Sequence, residues 1–214
     1  MKKIFITFSA VALCLASCKK EEKMDTVDPM MKDTVPTEEP APMVEMDSAS
    51  MAKARETFMT PGEHHKMMAD EEGKWNNEMT FWMGPDMPGE KYTSGCEVKM
   101  ILGGRYQQST YSGEIMGRPF EGISTVAYNN ATGEFTSTWI DNMGTGLMVV
   151  NGKYDPNSKS TTMTGTTVNP ATKQKINLRE VYTFVDENTR KMEMFETPEG
   201  GKEYQSMEII MTRK

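Results

Sequence analysis

Two acidic residues stand at positions where an alternating strand pattern expects apolar side chains, and they are the leading candidates for chemistry. In FTSTWID, Asp141 shares a strand face with Trp139; in INLREVYTF, Glu180 shares a face with Leu178 and Tyr182. A carboxylate buried without a partner is costly, so each should be paired, protonated or available to a ligand. These two carboxyls therefore define the candidate site.

Each carboxyl has a structural and a functional interpretation. Asp141 precedes the glycine-containing turn at residues 143–146, so it could accept the turn amides as a local cap or act as a polar anchor at a cavity mouth. Glu180 could form a structural ion pair or orient a ligand in an apolar cavity. Three arginines are candidate partners for Glu180: Arg105, Arg118 and Arg179, although Arg179 alternates to the opposite face.

Aromatic residues close to these carboxyls in the pattern could form the wall of a cavity, although such residues more often belong to a core. The predicted ligand site consists of Asp141, Glu180, Trp139, Tyr106 and Tyr111. This set combines a few polar groups with an aromatic wall, which is typical of small-molecule sites.

Other reactive side chains do not assemble into a recognisable centre. His64 and His65, in HHKMM, are the only histidines, and neighbours on a helix point about 100° apart, so they do not converge on a metal. Cys96 lies mid-strand on an apolar face without a basic neighbour, which favours a structural thiol. No nucleophile elbow, phosphate loop or zinc quartet is present. We therefore predict no catalytic residue, no metal and no cofactor.

The N-terminal residues resemble an export signal. Lys2 and Lys3 precede an apolar run, residues 4–15, that is too short to span a bilayer. The sequence LASC, ending at Cys18, resembles the lipobox of bacterial lipoproteins, whose signal peptide is cleaved before a cysteine that then carries lipid. The resemblance implies a signal peptide at residues 1–17 and membrane attachment through Cys18; the alternative is an ordinary signal peptide with a chance cysteine.

The lipobox resemblance implies a location in the bacterial cell envelope, in the outer membrane, and the residues after Cys18 bear on which face of that membrane. The CKKEE stretch resembles the signals that send some lipoproteins to the outer face of the outer membrane, although simple solvation explains it equally well. The segment 18–55 is rich in proline and charge and has no aromatic residue, which predicts a disordered tether. Residues 56–214 are long enough for one domain, and the net charge of −7 argues against a nucleic-acid partner.

The domain begins with a helix signal and continues with strands. Thr60-Pro61-Gly62-Glu63 has cap, first-turn and capping-box chemistry, which predicts one short helix ending near Glu72. From Lys74 onward, nine turn signals separate ten runs of alternating apolar and polar residues. The predicted fold is all-β, an antiparallel up-and-down barrel of about ten strands, with a sandwich as the alternative.

Two residue patterns point to known families. Gly73-Lys74-Trp75 at the first strand resembles the Gly-x-Trp signature of the calycin superfamily, in which a late arginine packs over the tryptophan; Arg213 occupies the matching place. TPGEHHKMM, ILGGRY, MGRPFEGIS, STWIDNMGTG and GKEYQSMEI resemble the bacterial family catalogued as domain of unknown function 1579. The resemblance implies a calycin-like barrel and no particular activity.

The predicted function is non-covalent binding of a small, largely apolar ligand inside the barrel. The alternatives are a solid barrel that serves as an interaction module of the envelope and, with less support, an enzyme that uses carboxylates at the barrel rim. A cavity inside the barrel would favour ligand binding over the interaction module. A carboxyl of strongly perturbed pKa in an open pocket would favour the enzyme.

Overall fold

The computed structural model describes residues 45–214 of the protein. The predicted signal peptide at residues 1–17, the predicted lipid on Cys18 and most of the predicted tether concern residues outside this range. No helix within residues 45–214 has both the length and the apolar character that crossing a membrane requires.

Two helices precede ten strands. The helices are α1 (Ser48–Met59) and α2 (Glu63–Ala69), and the strands are β1 (Gly73–Phe81), β2 (Glu90–Ile101), β3 (Tyr106–Ile115), β4 (Arg118–Asn129), β5 (Glu134–Asp141), β6 (Met148–Asp155), β7 (Ser160–Val168), β8 (Lys175–Phe184), β9 (Thr189–Pro198) and β10 (Tyr204–Arg213). Each strand pairs antiparallel with the next, and β10 returns to β1. The predicted up-and-down barrel is confirmed, and the alternative of a sandwich is not.

Closure depends on the register of β1. Trp75 lies opposite Cys96 on β2 and opposite Arg213 on β10. Beyond the last strand, the Lys214 amide donates to the Lys74 carbonyl at 2.9 Å. Because every strand has two neighbours, the sheet has no unpaired edge that could recruit another chain.

The inward-facing residues form two apolar clusters on opposite parts of the wall. One contains Trp75, Met79, Cys96, Val98, Ile115, Phe120, Ile209 and Met211. The other contains Met68, Phe135, Val150, Met163, Ile176, Leu178 and Met194. All strand pairings and both clusters lie within the compact unit Glu45–Lys214, so this unit contains its own core.

Helix α2 begins later and ends earlier than the sequence predicts. Its N-cap is Gly62, whose amide donates to Nδ1 of His65 at 3.0 Å, and it ends at Ala69. The predicted cap, Thr60, instead donates its hydroxyl to the Glu56 carbonyl at 2.8 Å. Thr60 therefore completes the preceding helix, which explains why its cap chemistry is not used by α2.

Helix α1 is a feature that the sequence interpretation does not include, because residues up to 55 read as tether. Asp47 caps it by accepting the Ala49 and Ser50 amides, both at 2.9 Å, and all its residues are exposed. Its last turn is held by the barrel: the Asn130 side chain donates to the Thr57 carbonyl at 2.9 Å. Helix ends leave carbonyls without partners, and a barrel side chain satisfies one here.

The two ends of the barrel differ. We call the end covered by α2 the floor, which carries the turns at residues 102–105, 130–133, 156–159 and 185–188. The opposite end, the mouth, carries the turns at residues 82–89, 116–117, 142–147, 169–174 and 199–203. His64 of α2 packs on Tyr128, with ring centroids 4.2 Å apart, and Met68 is buried. The helix thus closes the floor, and within residues 45–214 no helix covers the mouth.

Candidate ligand cavity

The barrel interior holds a cavity of about 700 Å³ rather than a fully packed core. Its lining runs from Met68 and Glu71 at the floor to Met83, Met143 and Val168 at the mouth. The three mouth residues are 67%, 46% and 55% exposed, so the cavity reaches solvent there. Its volume lies within the range of about 300–1,000 Å³ that is usual for small-molecule sites.

Methionine is the most frequent residue in the cavity wall. The lining methionines are Met67, Met68, Met79, Met83, Met116, Met143, Met148, Met163, Met192, Met194, Met207 and Met211. Their side chains are unbranched and polarisable, and they adapt to neighbours of different shape. The wall can therefore adjust to a range of apolar ligands.

A network of four polar side chains lies at the floor of the barrel, and three of them, Glu71, Gln107 and Tyr182, line the cavity. Glu71 Oε1 accepts from Arg190 Nε at 2.7 Å and from the Tyr182 hydroxyl at 2.8 Å. Its Oε2 accepts from Gln107 Nε2 at 2.9 Å. Burial, followed by the Glu71 charge, raises the pKa of Tyr182 well above its usual value. Glu71 is therefore a structural group that is already paired with a charged partner and two further donors.

The charge of Arg190 is balanced within the same floor. Its Nη1 donates to the Thr189 carbonyl at 2.9 Å and also to the Asp186 carbonyl. The guanidinium carbon lies 4.7 Å from the Phe184 ring centroid. Sequence reasoning missed the contact of Arg190 with Glu71, because 119 residues separate the two and neither belongs to a motif.

The predicted contact between Trp75 and Arg213 is present where β1 and β10 close the barrel. The Arg213 guanidinium carbon lies 4.3 Å from the Trp75 ring centroid, and Arg213 also donates to the Glu72 and Asp70 carbonyls at 2.8 and 2.7 Å. Gly73 has φ +132°, and a Cβ there would lie 3.2 Å from Arg213 Nη1. The glycine of the Gly-x-Trp signature therefore stands where the arginine side chain approaches the backbone closely.

Asp141 acts as a local cap beside the mouth. Its Oδ1 accepts the amides of Met143 and Gly144 at 2.9 and 3.1 Å, and its Oδ2 accepts from Trp139 Nε1 at 2.7 Å. The hydrogen bonds that the cap interpretation of Asp141 predicts are thus present. Although Asp141 lines the cavity, its carboxylate orients the Trp139 indole and the turn.

Trp139 forms part of an aromatic wall. Its ring centroid lies 5.1 Å from that of Tyr111 and 6.2 Å from that of Phe120. Gly122 on the neighbouring strand provides the space for the indole, because a Cβ at that position would lie 2.5 Å from Trp139 Cη2. Trp139 and Tyr111 both line the cavity, as the sequence predicts.

Tyr106 does not belong to the wall, and its predicted place in the site is wrong. It is 38% exposed, because Gln107, Ser109 and Tyr111 occupy the inward positions of β3 and the intervening residues face outward. Inward polar residues made the phase of this strand unreadable from hydrophobicity. Tyr111 and Ile115 mark the inward face, and Tyr106 stands five residues from Tyr111, so the two tyrosines lie on opposite faces of the strand.

Cys96 and Tyr111 lie side by side on the inner wall. Burial raises the pKa of the Cys96 thiol to about 11, despite hydrogen bonding from Tyr111 and Ser109. Burial, then the neighbouring Cys96, raises the pKa of Tyr111 well above its usual value. The thiol is a structural group, as its apolar strand face predicts.

Glu180 is the carboxyl in the cavity wall that has no hydrogen-bond partner among residues 45–214. It is 7% exposed, lies on the inward face of β8 and lines the cavity. Burial alone raises its pKa from 4.5 to about 7, with no contribution from a hydrogen bond or a charge within residues 45–214.

The predicted ion pair for Glu180 is wrong, because the candidate arginines are placed elsewhere. Arg179 binds Glu203 through Nε and Nη2 at 2.9 and 2.6 Å. Arg105 donates to the Met59 carbonyl at 2.9 Å, and Arg118 is exposed. The carboxyl therefore faces the cavity.

The ten strands form a closed antiparallel meander with Arg213 over Trp75 at its closure, which defines an up-and-down β-barrel. Residues 60–213 match the family described as protein of unknown function (DUF1579), so the chain belongs to that family. No curated protein matches the chain.

Proposed function

We propose that the barrel binds a small, largely apolar ligand in its cavity. The observation that carries the proposal is the cavity of about 700 Å³, walled by apolar side chains and open at the mouth. A ligand that fills an apolar cavity adds dispersion contacts to the side chains of its wall. Trp139 and Tyr111 would provide the aromatic wall, and Glu180 the polar contact.

The location proposal is a lipid-anchored protein of the bacterial cell envelope, in the outer membrane. Its support is the lipobox-like LASC at residues 15–18, preceded by a basic and then an apolar stretch. Replacement of Cys18 by Ala in the full chain should abolish lipid labelling and release the protein from membranes. Retention in the membrane without lipid would overturn this proposal.

Docking of an envelope partner is a second candidate function. Six apolar residues on the mouth turns or beside them are exposed: Met83, Met87, Met116, Met143, Leu147 and Val168. Exposed apolar surface of this kind is typical of interaction sites. Catalysis is a third candidate, because Glu180 combines a raised pKa with an open cavity, as a general acid or base requires.

Native mass spectrometry of residues 45–214, purified without detergent, tests the ligand proposal. We expect a defined additional mass that solvent extraction releases. Ser137→Phe would fill part of the cavity from an inward lining position and should lower the fraction of protein that carries the additional mass. Thr138→Phe, on the outward side of the same strand, should leave that fraction unchanged. A bare polypeptide mass, together with failure to bind a neutral apolar dye, would contradict the proposal.

A further inference from the structure

The lining of the cavity is acidic. Its charged residues are Glu71, Asp141, Glu180 and Glu196, and no lysine, arginine or histidine among residues 45–214 lines it. The cavity therefore offers no cation that could pair with an anionic head group, such as a fatty-acid carboxylate.

Three of the four carboxyls already have donors. Glu71 has Arg190, Tyr182 and Gln107; Asp141 has the Trp139 indole and two amides. Glu196, nearer the mouth, accepts from the Tyr204 hydroxyl at 3.1 Å. Among residues 45–214, Glu180 is therefore the lining carboxyl that has no donor at all.

Glu180 is built into the wall rather than placed at the rim. It lies opposite Met163 on β7 and Met194 on β9, both of which are buried. A carboxyl in such surroundings is unfavourable unless a donor reaches it. A ligand that brings its own donor would remove this cost.

We propose that the cavity binds a cationic amphiphile, an apolar chain that carries a primary amine, with its ammonium group at Glu180. This inference rests on the proposed ligand-binding function and specifies the ligand class. An ammonium group supplies both a counter-charge and three donors, and hydrogen bonds between charged groups are the stronger ones. The aromatic wall adds faces that attract cations, notably those of Trp139 and Tyr111.

The test compares three probes of equal chain length: dodecylamine, dodecanol and dodecanoic acid. Each would displace the neutral dye N-phenylnaphthylamine from residues 45–214 at pH 8, below its self-association concentration. At this pH the amine is cationic, the acid is anionic, and Glu180 is largely ionised because its pKa is about 7. We expect dodecylamine to bind at least about tenfold more tightly than dodecanoic acid, with dodecanol between them.

Two variants with the same change in net charge locate the preference. Glu180→Gln should weaken dodecylamine binding by about tenfold and leave dodecanol binding nearly unchanged. Glu196→Gln, the matched control on the neighbouring strand, should retain the preference for the amine, because its carboxyl already has Tyr204 as donor. Circular dichroism checks that both variants fold, and Glu180→Asp, which keeps the charge, should keep most of the preference.

The outcomes separate the two proposals. Equal binding of all three probes, tighter binding of the acid, or an amine preference that survives Glu180→Gln would overturn the inference and leave the proposed apolar-ligand function standing. Binding of none of the probes, and none of the dye, would overturn both. If Glu180→Gln does not fold, the order of the three affinities in the wild-type unit still decides.

Discussion

Arg190 Nε and Glu71 Oε1 lie 2.7 Å apart beneath the cavity, and the two side chains are 6% and 7% exposed. This buried ion pair joins the segment after α2 to the start of β9. The helix that closes the floor is thus fixed to the barrel wall by charge as well as by packing.

Glu71→Gln should be strongly destabilising, because it leaves the Arg190 guanidinium buried without a counter-charge. We expect the free energy of unfolding, measured with urea, to fall by about 3–5 kcal/mol. Glu97→Gln provides the control, since it removes the Lys99–Glu97 pair, whose side chains are 64% and 40% exposed. That change should cost at most about 1 kcal/mol. Equal effects of the two variants would contradict the role of the floor network.

Gly73→Ala should destabilise the closure of the barrel. Its φ of +132° is rarely adopted by residues with a side chain, and the new Cβ would crowd Arg213 Nη1. We expect a loss of about 1–3 kcal/mol in the free energy of unfolding. Gly117→Ala, at φ +70° and with no heavy atom within 4 Å of its Cβ, should lose less. A smaller loss at Gly73 than at Gly117 would mean that Arg213 adjusts without cost.

Gly122→Ala should displace the Trp139 indole, whose Cη2 would lie 2.5 Å from the new Cβ. Overpacking of this kind costs about 1–3 kcal/mol, and we expect altered tryptophan fluorescence and weaker dye binding. Gly95→Ala on β2, where the nearest heavy atom to a Cβ would be 3.9 Å away, should leave both signals unchanged. Unchanged dye binding in Gly122→Ala would show that Trp139 does not bound the occupied part of the cavity.

Glu180 should make stability depend on pH between about 4.5 and 7. Its pKa is about 7 in the folded protein and 4.5 in the unfolded chain, so the folded state binds more protons in this window. The free energy of unfolding therefore falls as the pH rises through it, by about 3 kcal/mol in total from this group. Urea unfolding at pH 5 and pH 8 measures the fall, and Glu180→Gln should remove that contribution. An identical pH dependence in the variant would refute the raised pKa.

Cys96 should be unreactive in the folded protein. The thiol is 5% exposed, and burial raises its pKa to about 11, so very little thiolate is present at pH 8. A thiol-reactive disulfide reagent should label residues 45–214 only after urea is added. Rapid labelling without denaturant would indicate that the wall at β2 and β3 opens.

The barrel is predictable from the sequence because its signals are local. Alternation marks each strand, and the turns between them are rich in glycine, asparagine and proline. The contact of Arg213 with Trp75 is predictable for a different reason, since Gly73-Lys74-Trp75 resembles a known signature. The cap formed by Asp141 follows from its place directly before a turn.

The missed features depend on distant residues or on weak patterns. Glu71 and Arg190 are 119 residues apart and come together only in the folded barrel, so no spacing in the sequence predicts their contact. The prediction that Tyr106 faces inward is wrong, because the inward positions next to it on β3 are polar and hydrophobicity does not identify the buried face there. Glu180 has no ion-pair partner because the candidate arginines bind other groups or face solvent. Alternation along a single strand does not determine where those arginines lie.

The continuous wall of paired strands has a consequence for the kinetics of exchange. A ligand bound as proposed would find no gap between the paired strands, and α2 blocks the floor. Within residues 45–214, entry and departure would therefore share the route through the mouth. Residence time would then be governed by the rotamer motions of a few flexible side chains, such as Met83, Met116 and Met143, rather than by unfolding of the sheet. Replacing these methionines with branched residues would change how long a ligand stays while leaving its resting place intact.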